Sequence, residues 1–301
     1  MSSILSERTL EKPTILSVAS DMLTLIKPRI ATFVWFAATV GGWLGGGTWW
    51  QALEVAAYVT AIAGASCVFN MVIEKDLDRL MPRTKNRPLP AGRLSVRDAL
   101  TFGITLAVLG TVGLLVKGNA IAAALGVATL IAYAFIYTPL KRITTLNTVV
   151  GAIPGAMPPL LGYCATAGEV SGWGWTLFLL LFAWQFPHFL AIAYMYRDDY
   201  AAAGMRMLSC EPNSDAMVGR QSLSYCLLLP VFACLPFLRG DSGIVFTVGA
   251  VVLGLAFCVF AARFAFQQTR SRARELMFAS LVYLPILFLL VLVDPLTRRF
   301  F

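Results

Sequence analysis

The sequence predicts an all-α polytopic membrane protein with nine transmembrane helices, and three observations support this fold class. The 301-residue chain is 58% hydrophobic and only 13% charged, and its mean hydropathy is +0.74. Apolar runs of about 20 residues, the length at which a helix spans a bilayer, recur along it. The charges are concentrated between these runs. Open sheets are excluded, since lipid offers no partner for free backbone groups.

The nine spans can be placed in order. They are predicted near residues 30–50, 52–73, 99–116, 119–139, 146–167, 172–196, 221–238, 244–264 and 275–293. Residues 1–26 are expected to be a cytoplasmic N-terminal segment, 27–295 a single transmembrane domain and 296–301 a short C-terminal tail. With the N-terminus in the cytoplasm, 20 of the 24 Lys and Arg residues fall on the cytoplasmic side, as the positive-inside rule requires.

Loop lengths suggest an internal repeat. Long charged loops follow the second and sixth spans, and short basic ones follow the fourth and eighth. This predicts two four-helix units plus a ninth helix, although loop lengths can also alternate by chance. The net charge of +8 is explained by topology, so no nucleic-acid partner is expected. The first 26 residues lack the pattern of a cleaved signal peptide or a transit segment, which favours a bacterial inner membrane.

The densest charge follows the second span, in residues 70–90. Asn70, Glu74 and Asp78 are spaced four apart, so they share one face if the second helix continues past its membrane exit. Two carboxylates and an amide suit Mg²⁺, which shares its shell with substrate phosphates. The alternative is a solvated loop that anchors topology. Asn70 lies inside the apolar run, where polar groups are costly and mark function.

Basic residues follow this acidic set. Arg83, Lys85 and Arg87 alternate, so an extended segment would place all three on one side, where they could bind phosphate oxygens. Tyr137 and Lys141 close the fourth span at the same membrane face and could extend an anion pocket. Binding of lipid headgroups is the simpler alternative. Acids and bases together suggest a site for a phosphorylated, lipid-soluble substrate.

The chain's one histidine, His188, lies within the sixth span. Such a histidine is either a hydrogen-bonded packing residue or a functional group such as a proton carrier or an iron ligand. Trp184 and Gln185 add polar groups at the same depth and favour a pocket. Beyond the span, Asp198 and Asp199 bring further acids to the predicted cytoplasmic face.

Taken together, these residues resemble the UbiA superfamily of intramembrane prenyltransferases, over about residues 24–295. The resemblance is carried by Asn70-x₃-Glu74-x₃-Asp78, by Tyr137-x₃-Lys141 and by the nine spans. Residues 83–90, and the run from Trp184 to His188, are similar to the heme O synthase branch of that superfamily, the protoheme IX farnesyltransferases.

The resemblance implies Mg²⁺-assisted transfer of a farnesyl group from farnesyl diphosphate to a vinyl group of heme b, giving heme O. The roles it implies are metal binding for Asn70, Glu74, Asp78 and Asp199, diphosphate binding for Arg83, Lys85, Arg87, Tyr137 and Lys141, and heme binding for His188, Trp184 and Gln185. Membrane lipid is an expected partner, and heme A synthase is a candidate protein partner. One departure concerns the superfamily's second acidic motif: alignment on Gly204 places Tyr196 and Tyr200 there, which puts a second metal site in doubt.

Three other functions are compatible with parts of the pattern. A related enzyme could prenylate a quinone precursor, but such an acceptor does not require His188. A secondary transporter also builds sites from repeats, but its acids would lie near the bilayer midplane rather than at the interface. A heme-binding or assembly protein would need the histidine without the acidic and basic motifs.

Overall fold

The computed structural model describes residues 14–294, and its regular structure is entirely helical, which confirms the predicted class. The helices are α1 (Ile15–Leu25), α2 (Pro28–Leu44), α3 (Trp49–Ile73), α4 (Lys75–Asp78), α5 (Val96–Lys117), α6 (Ala120–Ile131), α7 (Thr138–Leu140), α8 (Asn147–Ala167), α9 (Gly172–Met195), α10 (Arg197–Ala202), α11 (Asp215–Ala233), α12 (Leu235–Arg239), α13 (Ile244–Phe266) and α14 (Arg270–Val293). A π-helical turn, Ala132–Tyr137, joins α6 to α7, and a 3₁₀ turn forms Leu208–Cys210.

Within the described residues, eight helical stretches are long and apolar enough to cross a membrane. Two of them are composite: Ala120–Leu140 combines α6, the π turn and α7, and Asp215–Arg239 combines α11 and α12. The ninth predicted span exists only if α1 and α2, which meet at 56°, count as one. The predicted first span also ends too late, because α2 stops at Leu44 and Trp49 begins α3.

The bend between α1 and α2 has a local cause. Pro28 occupies the first turn of α2, where its missing N–H does no harm, and the residue before a proline is pushed out of helical conformation. Lys27 lies outside the right-handed helical region, with φ 54° and ψ 74°, so α1 does not continue into α2. A bidentate ion pair from Asp21 to Arg93, with N–O distances of 2.9 and 3.0 Å, ties α1 to the loop after α4.

The order of neighbours is the same in two groups of four helices. In the first group α3 packs on α2 and α5, and in the second α9 packs on α8 and α11. The helix that follows each group closes it: α8 packs on α3 and α6, and α14 packs on α9 and α13. This arrangement supports two four-helix units followed by a ninth membrane-crossing helix, α14.

The two units meet where α2 crosses α8, and glycines let the backbones touch. A Cβ on Gly41 would lie 2.0 Å from the Pro159 carbonyl oxygen, and a Cβ on Gly162 would lie 2.0 Å from that of Ala38. The same shift along the sequence relates Gly41 to Gly162 and Ala38 to Pro159. The two contacts are therefore reciprocal, and any larger side chain would force the helices apart.

Candidate active site

The acidic motif lies where α3 ends. Glu74 leaves helical conformation, with φ −91° and ψ 2°, and α4 starts anew after it, so α3 does not continue unbroken through the motif. The backbone nevertheless keeps a helical spacing of hydrogen bonds at these residues. The Glu74 N–H donates to the Asn70 carbonyl at 2.9 Å, and the Asp78 N–H donates to that of Glu74 at 2.8 Å. The three side chains therefore still share one face.

Burial separates this set from the neighbouring acid. Asn70, Glu74 and Asp78 are 1%, 5% and 1% exposed. Asp76 is 73% exposed and pairs with Arg79 at 3.3 Å. A buried carboxylate is costly unless it is paired. The buried acids must therefore have cationic partners.

Both buried carboxylates have a basic partner. Lys141 Nζ lies 2.8 Å from Glu74 Oε1, and Arg87 donates to Asp78 Oδ2 at 2.8 Å. Burial by itself lowers the pKa of Lys141, but the neighbouring Tyr137 and Glu74 outweigh burial and hold its pKa above the ordinary value. Lys141 also sits 4.7 Å from the centre of the Tyr137 ring. Lys141 is therefore a fixed cation at the end of this span.

Hydrogen bonds fix the orientation of the Asn70 amide. The Thr138 hydroxyl donates to the Tyr133 carbonyl at 2.9 Å, so it is free only to accept, from Asn70 Nδ2 at 3.1 Å. Asn70 Oδ1 consequently accepts from Lys27 Nζ at 3.2 Å. Thr138 follows the π turn, a rare feature found mostly at functional sites. The roles of Lys27 and Thr138 had no sequence signal beyond a basic and a polar residue near span ends.

The basic segment is not extended, so its three bases do not share one side as an extended segment would have placed them. The Lys85 N–H donates to the Met81 carbonyl at 3.0 Å and the Arg87 N–H to the Thr84 carbonyl at 2.9 Å, which winds the segment into successive turns. Turns satisfy backbone groups that an unpaired strand would leave open. Arg87 therefore points to the acidic motif while Lys85 is exposed.

Arg83 takes a third direction. Its guanidinium lies 5.0 Å from the Tyr196 ring centre and 5.6 Å from that of Tyr200, and it donates to the Tyr200 hydroxyl at 3.1 Å. Tyr196 caps the end of α9 just as Glu74 caps the end of α3, and a short helix follows each. In the second unit, tyrosines therefore stand where the first unit has carboxylates, and they hold a cation by their ring faces.

The acids after α9 do not complete a metal site. Asp198 is exposed and pairs with Arg270. Asp199 is partly exposed on α10. In the part of the chain that the structure describes, no three His, Cys, Asp or Glu side chains are grouped so that they could hold a metal ion. Asp199 thus forms no such group with Glu74 and Asp78, and its predicted metal role stays a prediction.

Three loops form one layer over this end of the helices. The Arg206 N–H donates to the Lys141 carbonyl at 2.6 Å, and Asn147 Nδ2 donates to the Arg206 carbonyl at 2.8 Å. Buried Met81, from the loop after α4, packs with Met205 from the loop after α10. The loops that carry the predicted diphosphate residues therefore lie together, as the sequence suggested.

His188 forms a second group, on α9. Its ring stacks on Trp184 at 5.0 Å, and its Nδ1 lies 2.7 Å from Ser280 Oγ. The Ser280 hydroxyl donates to the Met277 carbonyl at 2.5 Å, so it accepts from Nδ1–H. Nε2 of His188 then carries a lone pair, which is the form of imidazole that binds a metal. Trp184 stacks in turn on Phe33 of α2, at 6.1 Å.

Gln185 has a packing contact. Its buried Nε2 donates to the Ala152 carbonyl of α8 at 3.2 Å and to the Leu181 carbonyl at 3.1 Å. Its Oε1 lies over Gly155, where a Cβ would approach to 1.9 Å. These contacts fix α9 on α8, and a contact between Gln185 and heme stays a prediction.

A polar cavity of about 530 Å³ opens beside α10. It is lined by Arg197, Asp198, Ala201, Ser209, Cys210, Glu211, Pro212, Asn213 and Asp215. None of the predicted metal, diphosphate or heme residues lines it, so this cavity is not the predicted site.

Comparison with known proteins gives consistent matches along the chain. Residues 30–282 match the UbiA prenyltransferase family. The chain is 39% identical over 286 residues to the protoheme IX farnesyltransferase of Solibacter usitatus, covering 91% of this chain and 98% of that protein. It is 38% identical over 289 residues to the protein of the same name from Myxococcus xanthus, covering 94% and 97%, and 38% identical over 292 residues to that of Brucella ovis, covering 94% and 93%.

Solved structures share the fold at lower identity. An apo UbiA homolog from Aeropyrum pernix K1 superposes with a TM-score of 0.71 at 20% identity, covering 89% of this chain and 98% of that one. A UbiA homolog from Archaeoglobus fulgidus, bound to GPP and Mg²⁺, gives 0.62 at 15% identity and covers 91% and 100%. At these identities the likeness establishes the helical architecture alone.

Proposed function

This chain belongs to the UbiA prenyltransferase family, and on that premise we propose that it transfers a farnesyl group from farnesyl diphosphate to a vinyl group of heme b, giving heme O. The observation that carries this proposal is the match, over more than nine-tenths of the chain, to protoheme IX farnesyltransferases of several bacteria. The buried acid–base pairs and the oriented His188 supply chemistry suited to the two substrates.

The donor set fits Mg²⁺. The Asn70 amide oxygen and the Glu74 and Asp78 carboxylates are oxygen ligands on one face, and they leave positions for water and phosphate oxygens. A homolog of the same fold is described with Mg²⁺ and GPP bound. Bound there, the ion would neutralise charge that develops on the diphosphate leaving group.

Basic residues of the chain act on the same leaving group. Lys141 and Arg87 stand 2.8 Å from the carboxylates and are in place to take phosphate oxygens. Arg83, from the same loop as Arg87, is held instead by Tyr196 and Tyr200 and is the third base of this proposal. Preorganised cations of this kind stabilise the departing diphosphate as the allylic C–O bond breaks. The farnesyl carbocation is then captured by the vinyl group in a new C–C bond. Water then adds to the resulting cation and loses a proton, which leaves a hydroxyl group.

His188 is the proposed contact to heme. Ser280 and Trp184 hold its ring, and the lone pair of Nε2 suits an axial iron ligand. Trp184 contributes a flat aromatic surface beside it. A quinone precursor offers no iron for this arrangement.

The chain is a multi-pass membrane protein, and we place it in a bacterial inner membrane with the acidic motif facing the cytoplasm. Support comes from bacterial relatives and from the bases after α3 and α7, which lie at the same end as the site. A complex with heme A synthase stays a prediction.

Product analysis tests the proposal. Purified protein in lipid nanodiscs is incubated with heme b, farnesyl diphosphate and Mg²⁺, and the hemes are separated and weighed by mass spectrometry. We expect heme O, its loss on chelation and its return when Mg²⁺ is restored. Asp78→Asn should lower turnover at least about 100-fold, whereas the exposed Asp76→Asn is the matched control and should stay within about twofold. Farnesylation of a quinone precursor with heme b unchanged would refute the proposal.

A further inference from the structure

Lys27, at the joint between α1 and α2, reaches into the site from a distant part of the sequence. Its Nζ donates to Asn70 Oδ1 at 3.2 Å, and its side chain is partly buried. By sequence alone it is one of several bases before a membrane span. In the structure it contacts a residue of the acidic motif.

The backbone of Lys27 is strained. Among the described residues other than glycine, only Lys27 and Asn213 have positive φ. A residue with a Cβ rarely adopts this conformation, because the Cβ comes too close to the following carbonyl oxygen, and such strain concentrates at functional sites. The bend between α1 and α2 therefore holds the Lys27 backbone in a strained conformation, which lowers the stability of the folded protein.

The charge of Lys27 lacks a counterpart. Lys141 and Arg87 each face a carboxylate at 2.8 Å, whereas the contact described for Lys27 is with a neutral amide. A partly buried ammonium next to a neutral group is poorly compensated. Lys27, Lys141 and Arg87 contact the buried motif at this end of the helices, so three cations face two carboxylates and the site can accept added negative charge.

We propose that Lys27 is a further diphosphate-binding residue. Its ammonium moves from Asn70 Oδ1 to a phosphate oxygen of the prenyl diphosphate, and the amide oxygen becomes available on the metal side while Thr138 still orients the amide. The inference rests on the proposed function. A lipid headgroup phosphate offers the same chemistry near a membrane surface, so the experiment must separate the two sources.

The test measures binding rather than turnover. Full-length protein in phosphatidylcholine nanodiscs is titrated with inorganic diphosphate and Mg²⁺ by calorimetry, and again in nanodiscs that contain phosphatidylglycerol. Lys27→Asn tolerates positive φ and removes the charge, and Lys27→Gly removes it with the most permissive backbone. Both should weaken diphosphate binding roughly 10- to 100-fold in either lipid, as expected for a lost charge-assisted hydrogen bond, with heme affinity unchanged.

Two comparisons make the result specific. Lys27→Arg should recover most of the affinity because the charge remains, and Arg29→Asn, which removes a neighbouring exposed base, should change it by no more than about twofold. Unchanged diphosphate affinity in Lys27→Asn, an equal loss in Arg29→Asn, or a loss confined to one lipid composition would overturn the inference. Failure of the proposed function would instead appear as wild-type protein that binds diphosphate through Lys27 but makes no heme O.

Discussion

The ion pair between Asp78 and Arg87 should stabilise the protein far more than its neighbour between Asp76 and Arg79. The Asp78 and Arg87 side chains are 1% and 26% exposed, while those of Asp76 and Arg79 are 73% and 54% exposed. Removing one partner of a fully buried pair costs about 3–5 kcal/mol, and exposed pairs contribute about 0.2–1 kcal/mol. Because Arg87 is partly solvated, we expect a coupling free energy of about 2 kcal/mol, between those limits.

Two double-mutant cycles measure this difference. One combines Asp78→Asn with Arg87→Gln, and the other combines Asp76→Asn with Arg79→Gln. Equilibrium unfolding in mixed micelles of dodecyl sulfate and a mild detergent gives each free energy of unfolding, and the cycle isolates the pair. The exposed pair should couple by less than about 0.5 kcal/mol. Equal coupling in the two cycles would refute the reasoning, since burial is the main difference between the pairs.

Two further predictions concern other parts of the molecule. Ser280→Ala removes the acceptor that fixes the imidazole tautomer of His188, so heme affinity should fall roughly 10- to 100-fold, while the KM for farnesyl diphosphate should not change. Heme titration and steady-state kinetics measure the two quantities. An unaltered heme titration would show that Ser280 is a packing residue. Gly162→Ala drives a methyl group into the Ala38 carbonyl and should destabilise the protein by about 1–3 kcal/mol. The matched Gly249→Ala, whose methyl group meets the flexible Leu290 side chain, should cost less in the same unfolding assay, and equal losses would contradict the rigid α2–α8 contact.

Hydropathy was sufficient to predict the eight later membrane-crossing helices, because lipid leaves helices as the way to satisfy their backbone groups. It misplaced the first span, since α2 ends at Leu44. The grouping of Asn70, Glu74 and Asp78 also followed from sequence, since the backbone hydrogen bonds kept a four-residue spacing through the break at Glu74. The conformation of the short loops could not be predicted from the sequence. Local pattern suggested a strand for Arg83 to Arg87, but turns anchored on the Met81 carbonyl decided it.

Contacts between residues far apart in the sequence were the second feature that the sequence could not predict. Lys27 and Asn70 are 43 positions apart, and His188 and Ser280 are 92 apart. No sequence spacing predicts either contact, because the two residues of each pair are brought together by the packing of separate helices. Single residues that orient a functional group, such as Ser280 and Thr138, therefore become visible only when the helices are assembled.

The reciprocal glycine contacts between α2 and α8 bear on the ancestry of the chain. Gly41 of the first unit contacts Pro159 of the second, and the equivalent residues Gly162 and Ala38 make the same contact in the opposite sense. The interface of a two-fold homodimer has this reciprocal geometry. Each unit holds an even number of spans, so both insert in the same direction and the axis runs along the membrane normal. An ancestral protein of one unit that formed a homodimer, and whose gene was then duplicated and fused, would leave this reciprocal interface. Fusion would also free the two copies to diverge, one keeping carboxylates at Glu74 and Asp78 and the other tyrosines at Tyr196 and Tyr200.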